Sequence, residues 1–224
     1  SLLKELKLAI LSNVSTQFLT QNLSVLLKKK YEVEVLETSF GAWKICSRGL
    51  DPTLNDFEPD SMLLFLSSTA VSPDRLSNGQ FLEEVKQSIV SITEWFSGKL
   101  YITGIDYPES ACLDTSLKLT IDHINRELFL LRQREKYIFV DLFDLFFFEK
   151  AETFLPRKYH GLGIFSFHPK YYEAISQRIS NIIDATISRP IKTIFVDLDN
   201  TLWPGILGDE GIKGINLAPD SAAL

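Results

Sequence analysis

The chain is poor in the residues that mark several protein classes. It has two cysteines, Cys46 and Cys112, among 224 residues. Two are too few for a disulfide framework, so a reducing cytoplasm is the expected compartment. No apolar run approaches the roughly 20 residues of a membrane span, and no signal-peptide pattern is visible. The net charge is -6, and no basic patch with interleaved aromatics occurs, so neither nucleic acid nor membrane is an expected partner. The one basic run, Lys28-Lys29-Lys30, falls where a helix should end and suits the helix dipole there. Internal repeats and low-complexity tracts are also missing. What remains is 45% apolar and 23% charged, with 16 phenylalanines, an ordinary globular composition. The length suffices for one sizeable core.

Read in order, the chain alternates strand and helix. Short apolar runs at Leu8 to Leu11, Met62 to Leu66, Leu100 to Thr103 and Tyr137 to Val140 read as buried strands. Tyr31 to Leu36 alternates apolar and acidic residues, which gives an edge strand with one wet face. Helical spacing follows Ser15-Thr16, a pair able to cap the helix. It recurs over Phe81 to Phe96, Leu117 to Arg134 and Pro169 to Ile187. Gly41 to Pro59 reads as loop, anchored by Trp43. Five alternations predict an α/β fold, a three-layer doubly wound parallel sheet of flavodoxin-like order 2-1-3-4-5. Ligands then gather at the strand tips: Ser12 to Thr16, Ser67 to Thr69, Gly104 to Tyr107, and the loop up to His168.

Near the end of the chain a second pattern begins. Ile194-Phe195-Val196 reads as a strand and runs into Asp197-Leu198-Asp199-Asn200-Thr201. Two carboxylates two residues apart at a strand tip suit one hard cation such as Mg²⁺. The chemistry is phosphoryl transfer. Asp197 is the nucleophile toward phosphorus, Asp199 the general acid and base, and Thr201 holds the turn beside them. The plainer reading is a solvated loop, since Asp-x-Asp alone is common. With Gly205, Gly208, Glu210, Gly211 and Gly214, the stretch resembles the first motif of haloacid-dehalogenase-superfamily (HAD) phosphatases, and more narrowly their FkbH-like branch. Pro204 replaces a glycine of that pattern, and Asp209-Glu210 stand in reversed order. The resemblance implies Mg²⁺-dependent phosphatase chemistry and transfer of a phosphorylated three-carbon acyl unit to an acyl carrier protein. It covers about the last thirty residues. Residues 1–190 are then one α/β domain and 191–224 the start of a HAD domain. Its later motifs would follow Leu224, so a longer parent protein is expected, with no phosphatase activity in this piece alone.

The first domain has its own candidate pair. Ser15, near the first strand tip, and His168, before the last helix, could be nucleophile and base. Phe167-His168-Pro169 and the helix after it resemble the closing block of SGNH (GDSL-like) hydrolases. The layout of residues 1 to 190 is similar to that fold. Phe165 stands where that family has its orienting Asp. Val14 stands at the nucleophile position, one residue before Ser15. Ser67-Ser68-Thr69-Ala70 replaces the block that carries the oxyanion Asn. A Ser-His pair without an oxyanion donor loses about 10²–10³ in rate. The plainer reading makes Ser15 a helix cap and His168 a loop residue, with His123 on a helix surface. Two alternatives to the phosphatase follow. One is an esterase or acyltransferase using Ser15 and His168. The other is a non-catalytic module that docks substrate or an acidic carrier protein, through Lys28 to Lys30 or Arg157-Lys158.

Overall fold

The computed structural model describes residues 3–107, 114–142, 145 and 171–188. The chain divides into two compact units, Ser1–Thr186 and Ile187–Leu224. All but two residues of the second lie outside the described residues.

Five strands form one sheet: β1 (Lys4–Ser12), β2 (Tyr31–Glu37), β3 (Ser61–Phe65), β4 (Lys99–Thr103) and β5 (Ile138–Val140). The order is β2-β1-β3-β4-β5, and every pairing is parallel. This is the expected doubly wound α/β sheet. β2 lies at an edge because it has one wet face: Glu32 and Glu34 alternate with Tyr31, Val33 and Val35. β3 is buried along its whole length, Ser-Met-Leu-Leu-Phe, as a strand covered on both faces must be.

Alternation along the strands sorts the core into two faces. Ala9, Leu11, Met62, Leu64, Leu100 and Ile102 pack with α2 (Trp43–Ser47), α3 (Pro52–Phe57), α4 (Pro73–Ser77), α5 (Gln80–Trp95) and α6 (Thr115–Glu135). Leu8, Ile10, Leu63, Phe65 and Tyr101 are buried outside that cluster. The helices of their layer are α1 (Gln17–Leu27) and α7 (Tyr172–Ile187). The Phe18 and Tyr172 rings meet at 5.9 Å, and Tyr101 Oη lies 2.5 Å from Thr186 Oγ1.

Two local expectations need correction. Gly41 to Pro59 is not simply loop, because α2 and α3 lie within it. Each is too short for a helical period to show. α3 nevertheless carries the signal of its start, with Asp51 Oδ1 accepting from the Leu54 amide at 3.0 Å and Pro52 in the first turn. Trp43 does anchor the segment and is buried. Neither Ser15 nor Thr16 caps α1 through its side chain. Glu37, at the end of β2, does so from outside: Oε1 accepts the Thr16 amide at 3.1 Å and Oε2 the Thr20 hydroxyl at 3.3 Å. A carboxylate is favoured at a helix N-terminus. The lysine run falls where α1 ends, as expected: the helix stops at Leu27 with Lys28 as its C-cap, and Lys30 goes on to meet Asp184 of α7 at 2.5 Å.

Candidate functional site at the strand tips

β1, β3 and β4 end side by side, with Ser12 opposite Phe65 and Leu64 opposite Ile102. In sheets of this kind ligands bind beyond those C-terminal ends. The sequence places polar residues there, and the structure connects them.

Asn13 follows β1. Its side-chain oxygen accepts the Ser67 amide at 2.8 Å, and its side-chain nitrogen donates to the Ser67 carbonyl at 2.9 Å. Asn125, on α6, treats the tip of β4 alike. It accepts the Ile105 amide at 2.6 Å and donates to the Ile105 carbonyl at 2.9 Å. Each asparagine extends the hydrogen bonding of a strand past its end. Both loops are thereby fixed on rigid elements. The approach at β4 is close: a Cβ on Gly104 would lie 3.3 Å from Asn125 Oδ1 and 3.3 Å from Phe139 Cζ.

Ser67 begins a short 3₁₀ turn, Ser68–Ala70, and its Oγ accepts the Thr69 amide at 3.1 Å. The centre of the cluster is Asp106, just after Gly104-Ile105. It is 2% exposed. Its Oδ1 accepts the Ser68 amide at 2.7 Å, and its Oδ2 accepts the Ser67 hydroxyl at 3.0 Å. Burial pushes its carboxyl up to about 6, opposed by the Ser68 amide and the Ser67 hydroxyl. A buried acid whose bonded donors are all neutral is an uncommon arrangement outside functional sites. Next to it, Tyr107 donates to Asp122 of α6, and burial with that carboxylate pushes its phenol far up.

Ser15 is half-buried at the mouth of this region, two residues after Asn13. Its hydroxyl makes no hydrogen bond among the described residues. His168, its expected base, lies outside the described residues, as do Asp197, Asp199 and Thr201. The donors expected to hold Mg²⁺ are therefore not described either. Among the described residues no group of three or more His, Cys, Asp or Glu could hold a metal ion. No helix among them is long and apolar enough to cross a membrane. His123 is exposed, on a surface as expected. It lines an open groove of about 430 Å³ between α4, the start of α5 and the first half of α6, with Leu76, Leu82 and Leu119.

Asp106 is the residue that sequence reasoning missed. The tip Gly104 to Tyr107 was legible as a ligand-facing segment. Nothing in its local pattern shows that its one acid is buried, because the partners lie 38 and 39 residues away.

No protein-family model matches the chain, and no curated protein matches it. Solved structures do. The chain is similar to the N-terminal part of the protein BF1531 from Bacteroides fragilis, which contains a phosphatase domain and was solved with Mg. Identity is 21% and the TM-score 0.69, covering 96% of this chain and 61% of that one. The chain thus spans about three fifths of that structure's length. It is also similar to a lipase/acylhydrolase from Enterococcus faecalis, at 16% identity and TM-score 0.58, covering 80% of this chain and 96% of that one. TesA is a third, at 11% identity and TM-score 0.56, covering 81% and 99%. At these identities the likeness shows the fold. The five-stranded α/β unit has the SGNH-hydrolase-like architecture.

Proposed function

We propose that the chain is the N-terminal part of a Mg²⁺-dependent phosphatase of the HAD superfamily, FkbH-like, acting in transfer of a phosphorylated three-carbon acyl unit to an acyl carrier protein. One observation carries the reading. Asp197-Leu198-Asp199-Asn200-Thr201 follows an SGNH-like unit in a chain that resembles, over 96% of its length, the N-terminal part of a phosphatase-containing protein.

In this reading Asp197 Oδ bonds to phosphorus and the ester oxygen leaves with a proton from Asp199. Asp199 then takes a proton from the water that frees the phosphate, and Asp197 is restored. Thr201 holds the turn. Asp197 and Asp199 would hold Mg²⁺, which would supply the positive charge that lets two carboxylates face a phosphate. The strand tips of the first unit bind or dock the acyl partner. Lys28 and Lys29 are exposed and offer charge to an acidic carrier protein, while Lys30 is engaged by Asp184.

The test is phosphate release from a small phosphate ester by the longer protein that this reading requires. Release should need Mg²⁺, vanish in Asp197→Asn and fall about 10²–10⁴-fold in Asp199→Asn. Turnover indifferent to both substitutions overturns the reading. The ester-hydrolase alternative has the fold and the placement of Ser15 in its favour; against it, Phe165 stands in place of the orienting Asp and Ser67-Ser68-Thr69-Ala70 in place of the block with the oxyanion Asn. Hydrolysis of a small activated acyl ester, lost in both Ser15→Ala and His168→Ala, would restore that alternative. We expect no such loss.

A further inference from the structure

One feature of the strand tips is used neither by the phosphatase chemistry nor by the Ser15–His168 pair. Asp106 Oδ2 lies 3.0 Å from Ser67 Oγ. Ser67 Oγ lies 2.7 Å from Thr69 Oγ1. Asp106 is buried, and Thr69 is exposed. An unbroken hydrogen-bonded line therefore runs from a carboxyl in the interior to a hydroxyl at the ligand-binding end of the sheet.

The direction of the protons along that line follows from counting them. Each hydroxyl has one proton to give. When Asp106 is ionised it can only accept, so Ser67 gives its proton to Asp106. Thr69 must then give its proton to Ser67, and its lone pairs face outward. When Asp106 is protonated it donates to Ser67, Ser67 donates to Thr69, and the Thr69 proton faces outward. Ser67 Oγ accepts the Thr69 amide at 3.1 Å in both arrangements. Neither leaves a member of the line unsatisfied, and only hydroxyl rotations and one proton separate them.

We propose that Thr69 Oγ1 is a ligand contact whose hydrogen-bonding sense is set by Asp106. It accepts from hydroxyl, amide or ammonium groups when Asp106 is ionised, and donates to anionic or carbonyl oxygens when Asp106 is protonated. Asp106 is thus a positioning residue that acts through Ser67. The ligand taken in neutral solution presents a hydrogen-bond donor to Thr69. Burial has already moved the Asp106 carboxyl up to about 6, so the sense reverses in mildly acid solution. The charged groups on the neighbouring elements are Asp122 of α6 and Asp141 after β5, and both act on Tyr107. The side chains that pin the flanking loops, Asn13 and Asn125, are uncharged. The proposal does not depend on the phosphatase reading, since every residue in it belongs to the first unit.

Two probes of constant charge between pH 5 and 8 test it: methylammonium, which can only donate, and sulfate, which can only accept. Binding is read from amide and methyl shifts of Thr69 by NMR, at pH 5 and pH 8. Asp106→Asn fits the same space. Its oxygen accepts the Ser68 amide, and its NH₂ donates to Ser67, which holds Thr69 as an outward donor at every pH. Thr69→Val removes the contact and keeps Asp106. In the wild type, the sulfate-to-methylammonium preference at Thr69 should rise from pH 8 to pH 5 by about 5-fold more than in either variant, the worth of one net hydrogen bond. The Thr69 shifts and the Asp106 carboxyl resonance should titrate together. A wild-type pH dependence matched by Thr69→Val, or a Thr69 signal that does not follow the Asp106 carboxyl, overturns the proposal. Thr69 is exposed, so that variant remains a fair test even where Asp106→Asn fails to fold.

Discussion

Two aspartates at opposite ends of the sheet show how one residue type serves different purposes. Asp184, on α7, sits at the N-terminal ends of the strands. It takes the Lys30 ammonium at 2.5 Å and the Tyr31 hydroxyl at 2.6 Å, and its side chain is 23% exposed. Its partners are a cation and a phenol, and solvent reaches it. Asp106, at the C-terminal ends, is buried and bonded to neutral donors. Asp184 ties a helix to an edge strand, which is a structural task. Asp106 is kept where ionisation is costly, at the end of the sheet where ligands bind. The difference lies in surroundings, not in the side chain.

The largest expected effect comes from removing that cost. The Asp106 carboxyl is raised from 3.8 to about 6 in the fold. A raised acid contributes stability that is fully present below its unfolded value and is lost as pH climbs through the folded one. The loss therefore runs from about pH 4 to just above pH 6, and amounts to about 3 kcal/mol by linkage. Asp106→Asn, which satisfies the same partners, should match the wild type at pH 4. It should be more stable at pH 8, by up to about 3 kcal/mol. Urea midpoints at the two pH values decide this. A variant less stable than wild type at pH 8 breaks the comparison, because Asp106 would then be structural like Asp184.

A second pair sharpens the contrast within the tips. Asn13→Ala and Asn125→Ala each remove one donor and one acceptor from a strand-tip residue that is buried, Ser67 or Ile105. Each should cost about 2 kcal/mol in urea denaturation. Their effects on Asp106 should differ. Ser67 is both the residue held by Asn13 and a donor to Asp106, so Asn13→Ala should shift the Asp106 carboxyl titration followed by NMR. Asn125→Ala, which holds Ile105, should leave it in place. Equal shifts would mean that the two clamps form one unit.

The comparison also explains what could be read in the sequence. The sheet was legible because burial on both faces demands apolar runs, as in Ser61–Phe65, and a wet edge demands alternation, as in Tyr31–Glu37. Those are local signals with a period. Ser15 could be placed at a strand tip by the same logic. The task of each acid could not, since it depends on partners far along the chain. Glu37 caps a helix that begins twenty residues before it. Asp106 meets a turn that is set by Asn13, 93 positions earlier, acting through Ser67. Asp184 meets residues more than 150 positions away. Single acids in loops and on helix surfaces look alike until the fold brings their partners. α2 and α3 escaped for a different reason, since five and six residues do not complete two helical turns.

The smallest effect belongs to the structural end and tests whether charge or burial does its work. Lys30 is 64% exposed as a side chain, and an exposed pair contributes little to stability. Tyr31 is 5% exposed, and its hydroxyl needs a partner when buried. Asp184→Ala should therefore cost about 1.5 kcal/mol, the worth of one hydrogen bond to a charged group. Lys30→Ala should be close to neutral in the same urea titration. Raising the salt concentration should barely change the cost of Asp184→Ala, because the bond to Tyr31 is partly shielded from solvent. If Lys30→Ala proves as costly as Asp184→Ala, and both costs fall with salt, the ion pair carries this end of the sheet. Asp184 would then be held by its cation, the one kind of partner that the described residues do not give to Asp106.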